Sequence, residues 1–249
     1  MSTPPISTKS ADKHVLPKLD VTKNIVILTG AGISAESGLS TFRDSNGLWC
    51  NHKVEDVASL QGFQRNPALV QDFYNQRRAQ LKDVNPNAAH CALAVLEKQW
   101  QGDFLLVTQN VDNLHSRAGN KNIIYMHGEL VKARCRFTDQ IFDWEEGITD
   151  ESACPCCKKT GSLRPHIVWF GEIPLEMERI YQAIVNCDIF ISIGTSGNVY
   201  PAAGFVYEAK QHGATTIELN LEPSDSTFFD HGVYGPATEL IPQLVKKAK

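Results

Sequence analysis

The chain of 249 residues lacks several features, and each absence excludes a class of protein. No apolar run approaches the ~20 residues that a membrane-spanning helix needs. Residues 1–20 have no apolar signal core and no arginine, and they carry Asp12, so neither a secretory signal nor a mitochondrial presequence is expected. A formal net charge of −4 gives no electrostatic case for binding nucleic acid or a membrane surface. Cysteines number seven, an odd count with local clustering, which argues against a disulfide framework. It favours a reducing, cytoplasmic compartment with metal binding as the use of the cluster. No internal repeat is apparent.

What is present suits a sizeable core. Hydrophobic residues make up 42% of the chain. Short apolar runs recur near 25–28, 104–107, 123–126, 189–193 and 215–219, with helix-like stretches between them such as Ala88 to Gln99 and Ala202 to His212. Strands alternating with helices predict an α/β fold, a Rossmann-like parallel sheet covered on both faces. Two stretches break the rhythm. Residues 51–84 read as helical, with Pro67 as a helix start. Residues 129–166 are polar, Cys-rich and short-stranded, resembling a zinc ribbon. Together they are expected to form a smaller inserted domain, 51–84 and 129–166. The larger domain would then comprise 21–50, 85–128 and 167–249, with 1–20 a mobile tail.

The most informative string is Gly30-Ala31-Gly32-Ile33-Ser34-Ala35-Glu36-Ser37-Gly38, which follows the strand-like Ile25 to Leu28. Glycines after a strand permit a tight turn and close approach of backbone to a pyrophosphate. A bare G-x-G spacing arises by chance in many loops. This one runs on into Thr41-Phe42-Arg43-Asp44 and Gly47-Leu48-Trp49. In fixed order come Gln109-Asn110-Val111-Asp112, His127-Gly128-Glu129, Val168-Trp169-Phe170-Gly171-Glu172, Gly194-Thr195-Ser196 and Asn220-Leu221-Glu222. From about residue 22 to near the C-terminus, this series resembles the sirtuins, NAD-dependent protein deacylases, and in detail the class III bacterial type.

The resemblance implies a fold, a site and a reaction. His127 would be the general base that takes a proton from the nicotinamide ribose, as an imidazole of pKa ~6.5 can at neutral pH. A histidine at a strand end also serves as ordinary structure; His115 is read that way. Asn110 would orient the ribose and a water, and Asp112 would hold the nicotinamide carboxamide. The NAD contacts would run over Gly30, Ala31, Gly32, Ile33, Phe42, Arg43, Trp49, Gln109, Asn110, Asp112, Gly194, Thr195, Ser196, Asn220, Leu221, Glu222 and Ala237. Phe42 would exclude water from the cationic intermediate. Val168, Trp169, Phe170 and Gly171 would form the strand that pairs with a substrate peptide.

Two further groups concern specificity and metal. Tyr74 and Arg77 stand three apart on an expected helix, hence on one face. Taken alone they read as part of a solvated basic helix, and Arg78 is expected to face elsewhere. In a sirtuin-like chain they resemble the pocket that accepts acidic acyl groups, which Ala58 would widen. Arg offers a planar fork for a carboxylate, and Tyr adds a donor. The family usually holds zinc with two C-x-x-C pairs. Cys154 and Cys157 make one pair, but Thr138 stands where the partner of Cys135 belongs. The expected ligands are Cys135, Cys154 and Cys157, with Cys156 or water completing the site. A degenerate ribbon without metal is the other reading.

The implied reaction consumes NAD as a co-substrate. It releases nicotinamide, free lysine and an O-acyl-ADP-ribose, with acetyl, succinyl or malonyl as the acyl group. The partners would be acyl-lysine proteins or peptides, and the enzyme a monomer. The alternative is a mono-ADP-ribosyltransferase on the same fold. A hydride-transfer dehydrogenase rests on the Gly-rich loop alone, and a non-catalytic NAD sensor fits poorly with His127, Asn110 and Asp112 all present.

Overall fold

The computed structural model describes residues 15–41 and 48–249. Phe42 and Arg43 therefore lie outside the described residues. The elements, in chain order, begin with β1 (Ile25–Thr29), α1 (Gly32–Ala35), β2 (Leu48–Trp49) and β3 (His52–Lys53). Then follow α2 (Val54–Val57), α3 (Leu60–Arg65), α4 (Pro67–Gln80), α5 (Ala88–Gln99), β4 (Phe104–Thr108), α6 (Leu114–Ala118) and β5 (Ile123–Tyr125). Next are β6 (Gly128–Cys135), β7 (Ile141–Asp143), β8 (Leu163–Ile167), α7 (Met177–Asn186) and β9 (Ile189–Ile193). A 3-10 turn at Ala202–Gly204 leads into α8 (Phe205–Gln211), β10 (Thr215–Asn220), β11 (His231–Tyr234) and α9 (Ala237–Lys246).

Six strands make one sheet in the order β11-β10-β9-β1-β4-β5, with parallel pairing throughout. Both faces are covered, which is why β1 and β9 read as unbroken apolar runs rather than alternating ones. The two-residue period still decides which face each side chain joins. Ile25, Ile27, Ile191 and Ile193 pack with Leu93 and Leu96 of α5 and Ile241 and Leu244 of α9. Val26, Leu28 and Phe190 pack with Ile180 and Ile184 of α7 and with Phe205 of α8. Strand β1 lies at the centre, and the chain crosses to β4 on one side and β9 on the other. That reversal is the topological switch point where open α/β sheets bind ligands.

A second body of structure stands over the C-terminal ends of the strands. Helices α2 to α4 and the antiparallel sheet β7-β6-β8 share a core that includes Val57, Phe63, Val70, Phe73, Leu130, Ile167 and Trp169. Helix α4 starts as the sequence predicts: Pro67 occupies its first turn and Asn66 Oδ1 accepts from Leu69 N–H at 3.1 Å.

Two expectations need correction here. The described part of the supposed tail is not loose: Leu16 and Leu19 are buried in the sheet core, and Leu19 bridges to Ala248 beside α9. Apolar side chains at 16 and 19 find a ready surface there, so residues 16–20 belong with the larger domain. Val168 to Gly171 is not a strand, since β8 ends at Ile167. Val168 N–H donates to His127 O and Phe170 N–H to Ala58 O, each at 2.9 Å, so the segment is tied to two different neighbours in turn.

Candidate active site

The site begins where two glycine loops meet at the switch point. Gly30 N–H donates to Ile193 O at 3.0 Å, and Gly32 N–H to Gly194 O at 2.8 Å. A Cβ on Gly30 would stand 2.8 Å from Gly194 O, and one on Gly194 2.6 Å from Ile33 N. Gly194 also has φ +60°, so glycine is demanded twice there. Helix α1 has only four residues, too short to build a macrodipole; a pyrophosphate here would be met by loop backbone instead.

Above these loops lies a cleft of about 600 Å³. Its sheet side is lined by Gly30, Ala31, Gly32, Gln109, Asn110, Asp112, His127, Gly194, Thr195, Ser196, Asn220, Leu221 and Ala237. Its other side is lined by Trp49, Ala58, Tyr74, Arg77, Val168, Trp169, Phe170 and Gly171. Two expected contacts depart from this set. Ile33 is fully buried in the sheet core, because its position on α1 turns it toward β9 and α5, away from the cleft. Glu222 lines an adjoining groove with Asn198 and Asp225, which shares Phe170, Ser196, Val199 and Tyr200 with the cleft. Trp49 does line the cleft, but its ring packs edge-on against Phe73 and Tyr74, at the α4 end.

The polar floor is organised by Ser34, which the sequence reading passed over although it stands inside the Gly-rich string. Ser34 Oγ donates to Asp112 Oδ2 at 3.0 Å and accepts from Asn110 Nδ2 at 3.1 Å. Asp112 Oδ1 accepts from Leu114 N–H. Burial raises the Asp112 pKa, although these bonds oppose the shift. An amide-bearing ring set against this carboxylate would find a fixed acceptor. Gln109 Nε2 donates to Thr195 Oγ1, and Asn220 Nδ2 to Thr195 O, knitting three strand ends into one rim.

His127 is fixed in one tautomer by the main chain. Its Nδ1 lies 3.0 Å from Gln109 O, which only a protonated nitrogen satisfies. The proton is thereby placed on Nδ1, and Nε2 keeps a free lone pair. Burial lowers the His127 pKa, which holds the ring neutral at pH 7. His115, as expected, is structural: it is fully buried with Nε2 3.0 Å from Thr29 Oγ1.

The far end of the cleft gathers Tyr74, Arg77, Ala58 and Trp169. Tyr74 is buried, and its hydroxyl accepts from Trp169 Nε1 at 3.0 Å, leaving its own proton for another acceptor. Arg77 Nε and Nη1 are buried with no hydrogen-bond partner among the described residues, while its guanidinium lies over the Phe73 ring. Trp169 is held by Arg164, stacked 3.5 Å from its ring centroid, and Arg164 is itself gripped by both oxygens of Glu172 at 2.7 and 2.9 Å. Arg78 turns away from the cleft, as expected, but into the protein: its Nε donates to Leu130 O.

Away from the cleft, Cys135, Cys154, Cys156 and Cys157 bring their sulfurs within 4.8 Å of one another. Tetrahedral zinc at ~2.3 Å from each thiolate needs sulfurs about 3.8 Å apart, so the set fits a structural zinc. Cys156 Sγ lies 3.2 Å from Thr138 Oγ1 and thus occupies the corner that the missing cysteine would have filled. Of the candidates for a fourth ligand, Cys156 is the one whose sulfur joins the cluster.

Comparison with known proteins places the architecture. The model of the Sir2 family matches residues 30–201. An NAD-dependent protein deacylase of Salmonella typhimurium (strain LT2) is 58% identical over 237 residues, 94% of this chain and 87% of that protein. A solved Sir2 homologue in complex with NAD aligns with TM-score 0.82 and 37% identity, covering 91% of this chain and 90% of that one. A Sir2 protein bound to a myristoylated histone peptide aligns with TM-score 0.70 and 34% identity over 90% of this chain and 89% of that one. With the family model spanning residues 30–201 and relatives at 58% identity over most of both chains, this chain belongs to the Sir2 family.

Proposed function

We propose that this protein is an NAD-dependent protein-lysine deacylase that accepts acidic acyl groups. The deacylase reading is supported by the names of its relatives and by a cleft whose two ends differ in chemistry. The sheet end offers glycine backbone, the Gln109–Thr195–Asn220 rim and the Asp112 carboxylate for the ADP-ribose and nicotinamide parts of NAD. The other end offers Ala58, Tyr74, Trp169 and Phe170 around Arg77 for an acyl chain. His127 stands between them with Nε2 free to take a ribose hydroxyl proton. The acyl group would pass from lysine to the ribose of NAD as nicotinamide leaves. A mono-ADP-ribosyltransferase would have no use for the acyl pocket.

The single observation that carries acyl choice is Arg77. Its buried Nε and Nη1 have no partner among the described residues. A buried guanidinium in that state gains most from a carboxylate presented by the ligand. Tyr74 supplies a second donor, and Ala58 leaves room. We further infer a monomer and, from seven free cysteines with four of them clustered, a reducing compartment such as the cytoplasm. Among the described residues no helix is long and apolar enough to cross a membrane. The division into 51–84 with 129–166 against the remainder is proposed as the functional one, with the cleft between.

The test compares acetyl-, succinyl- and malonyl-lysine peptides of one sequence by mass. Arg77→Met should lower kcat/KM for succinyl-lysine by ~2–4 kcal/mol, roughly 30- to 1000-fold, because the carboxylate is left buried and unpaired. Acetyl-lysine should lose far less. Equal losses on both would sink the acidic-acyl reading.

A further inference from the structure

Helix α4 does two jobs on two neighbouring stripes. Tyr74 and Arg77 line the cleft. Gln71, Asn75 and Arg78 follow at spacings of four and three, hence along a single stripe. Every member of that stripe bonds to main chain of the Cys-rich part of the molecule or the strand leading into it. Gln71 Nε2 donates to Leu163 O in β8 at 2.8 Å. Asn75 pairs its amide with Ile148 in both directions: Nδ2 donates to Ile148 O and Oδ1 accepts from Ile148 N–H, each at 2.8 Å. Arg78 Nε donates to Leu130 O in β6, and its Nη1 donates to Asn75 Oδ1, both at 2.7 Å.

Ile148 is itself buried against Cys135 and Cys154. The cysteine cluster, the Ile148 backbone and helix α4 thus form one continuous contact. We propose that Asn75, aided by Gln71, is a positioning residue for acyl choice. By locking α4 against the ribbon backbone, it sets the roll of the helix and so the place of the Arg77 guanidinium.

The lever is short. Side chains reach ~5–6 Å from a helix axis, so a 10° roll carries Arg77 by about 1 Å. A bidentate contact with a carboxylate does not survive displacement of that size. An acetyl group makes no such contact and is insensitive to it. The coupling therefore predicts a change in selectivity rather than a general loss. The inference rests on the acidic-acyl reading of the cleft, and its test separates the two.

KM and kcat would be measured for succinyl- and acetyl-lysine peptides in wild type, Asn75→Ala, Asn75→Asp, Gln71→Ala and Arg77→Met. Gln76→Ala, on the exposed face of the same helix, is the control. Asn75→Ala should raise KM for succinyl-lysine about tenfold, with kcat and acetyl KM within about twofold. Gln71→Ala should move the ratio the same way by less. Asn75→Asp keeps the acceptor for Ile148 N–H and should fall between. Gln76→Ala should leave both substrates unchanged. If Asn75→Ala does not fold, the Asp variant and Gln71→Ala decide. Parallel losses on both substrates, or an unmoved ratio, would overturn the proposal. Should Arg77→Met shift the ratio while the stripe variants do not, this inference alone fails. If Arg77→Met leaves it unmoved, the pocket reading and this inference fail together.

Discussion

At the scale of single residues, His127 and Gly194 show how narrow the requirements are. His127→Ala should abolish deacylation while NAD affinity, read by calorimetry, stays near wild type. Its ring supplies the lone pair, whereas the glycine loops and the Thr195 rim supply the binding surface. Near-normal turnover would remove it as the base. Because burial lowers its pKa, the acidic limb of kcat/KM should fall below the ordinary imidazole value of ~6.5. Gly194→Ala combines a left-handed backbone with a Cβ set against Ile33 N. The left-handed conformation alone costs roughly 1–2 kcal/mol, so a lower melting temperature and weaker NAD binding should appear together. The motif residues were legible because strand ends in a parallel sheet all emerge on one side. Ser34 was not singled out, since nothing in a sequence says that its hydroxyl lies between Asn110 and Asp112.

At the scale of elements, the cysteine ribbon is the clearest test. Metal analysis should give about one zinc per chain, and chelation should lower the melting temperature. Cys156→Ala should cost zinc content and stability. Adding Thr138→Cys to that variant should restore both, because Thr138 Oγ1 already lies beside the fourth corner. Zinc retained in full by Cys156→Ala would show that the corner belongs to another ligand. The strands β1, β4, β9 and β10 were readable as apolar runs; β11 was not. His231-Gly232-Val233-Tyr234 has one aliphatic residue and a glycine, and it is held as a strand by parallel pairing with β10. Long-range pairing of that kind leaves no local mark. The same blindness made Val168 to Gly171 read as a strand, when its backbone is divided between His127 and Ala58.

For the whole molecule, three buried histidines link stability to pH. Burial pushes His90 down to about 4, His115 to about 3 and His166 to about 4. Unfolded, each would titrate near ~6.5. The unfolded state therefore binds more protons between those values, so stability is complete above about pH 6.5 and falls as the pH drops. Each group adds up to about 1.4 kcal/mol of loss per pH unit across its window. Melting temperature should accordingly decline steadily from pH 7 to pH 4. His90→Gln and His115→Gln, where they fold, should flatten that decline; an unchanged slope would mean that carboxylates govern it.

The sequence by itself determined the parallel sheet, the covered faces and the set of loops that meet above it. Those follow from local matters: apolar runs, glycine after a strand, and motif order along the chain. Tertiary structure alone decided which side chains share a space. It placed Glu222 in a groove adjoining the cleft, buried Ile33 in the sheet core, and gathered Cys156 with Cys135, Cys154 and Cys157. It also left Nε and Nη1 of Arg77 buried beside Tyr74 without a partner among the described residues. Burial and hydrogen-bond partnership are properties of neighbours far apart in the chain, and no spacing along the sequence encodes them.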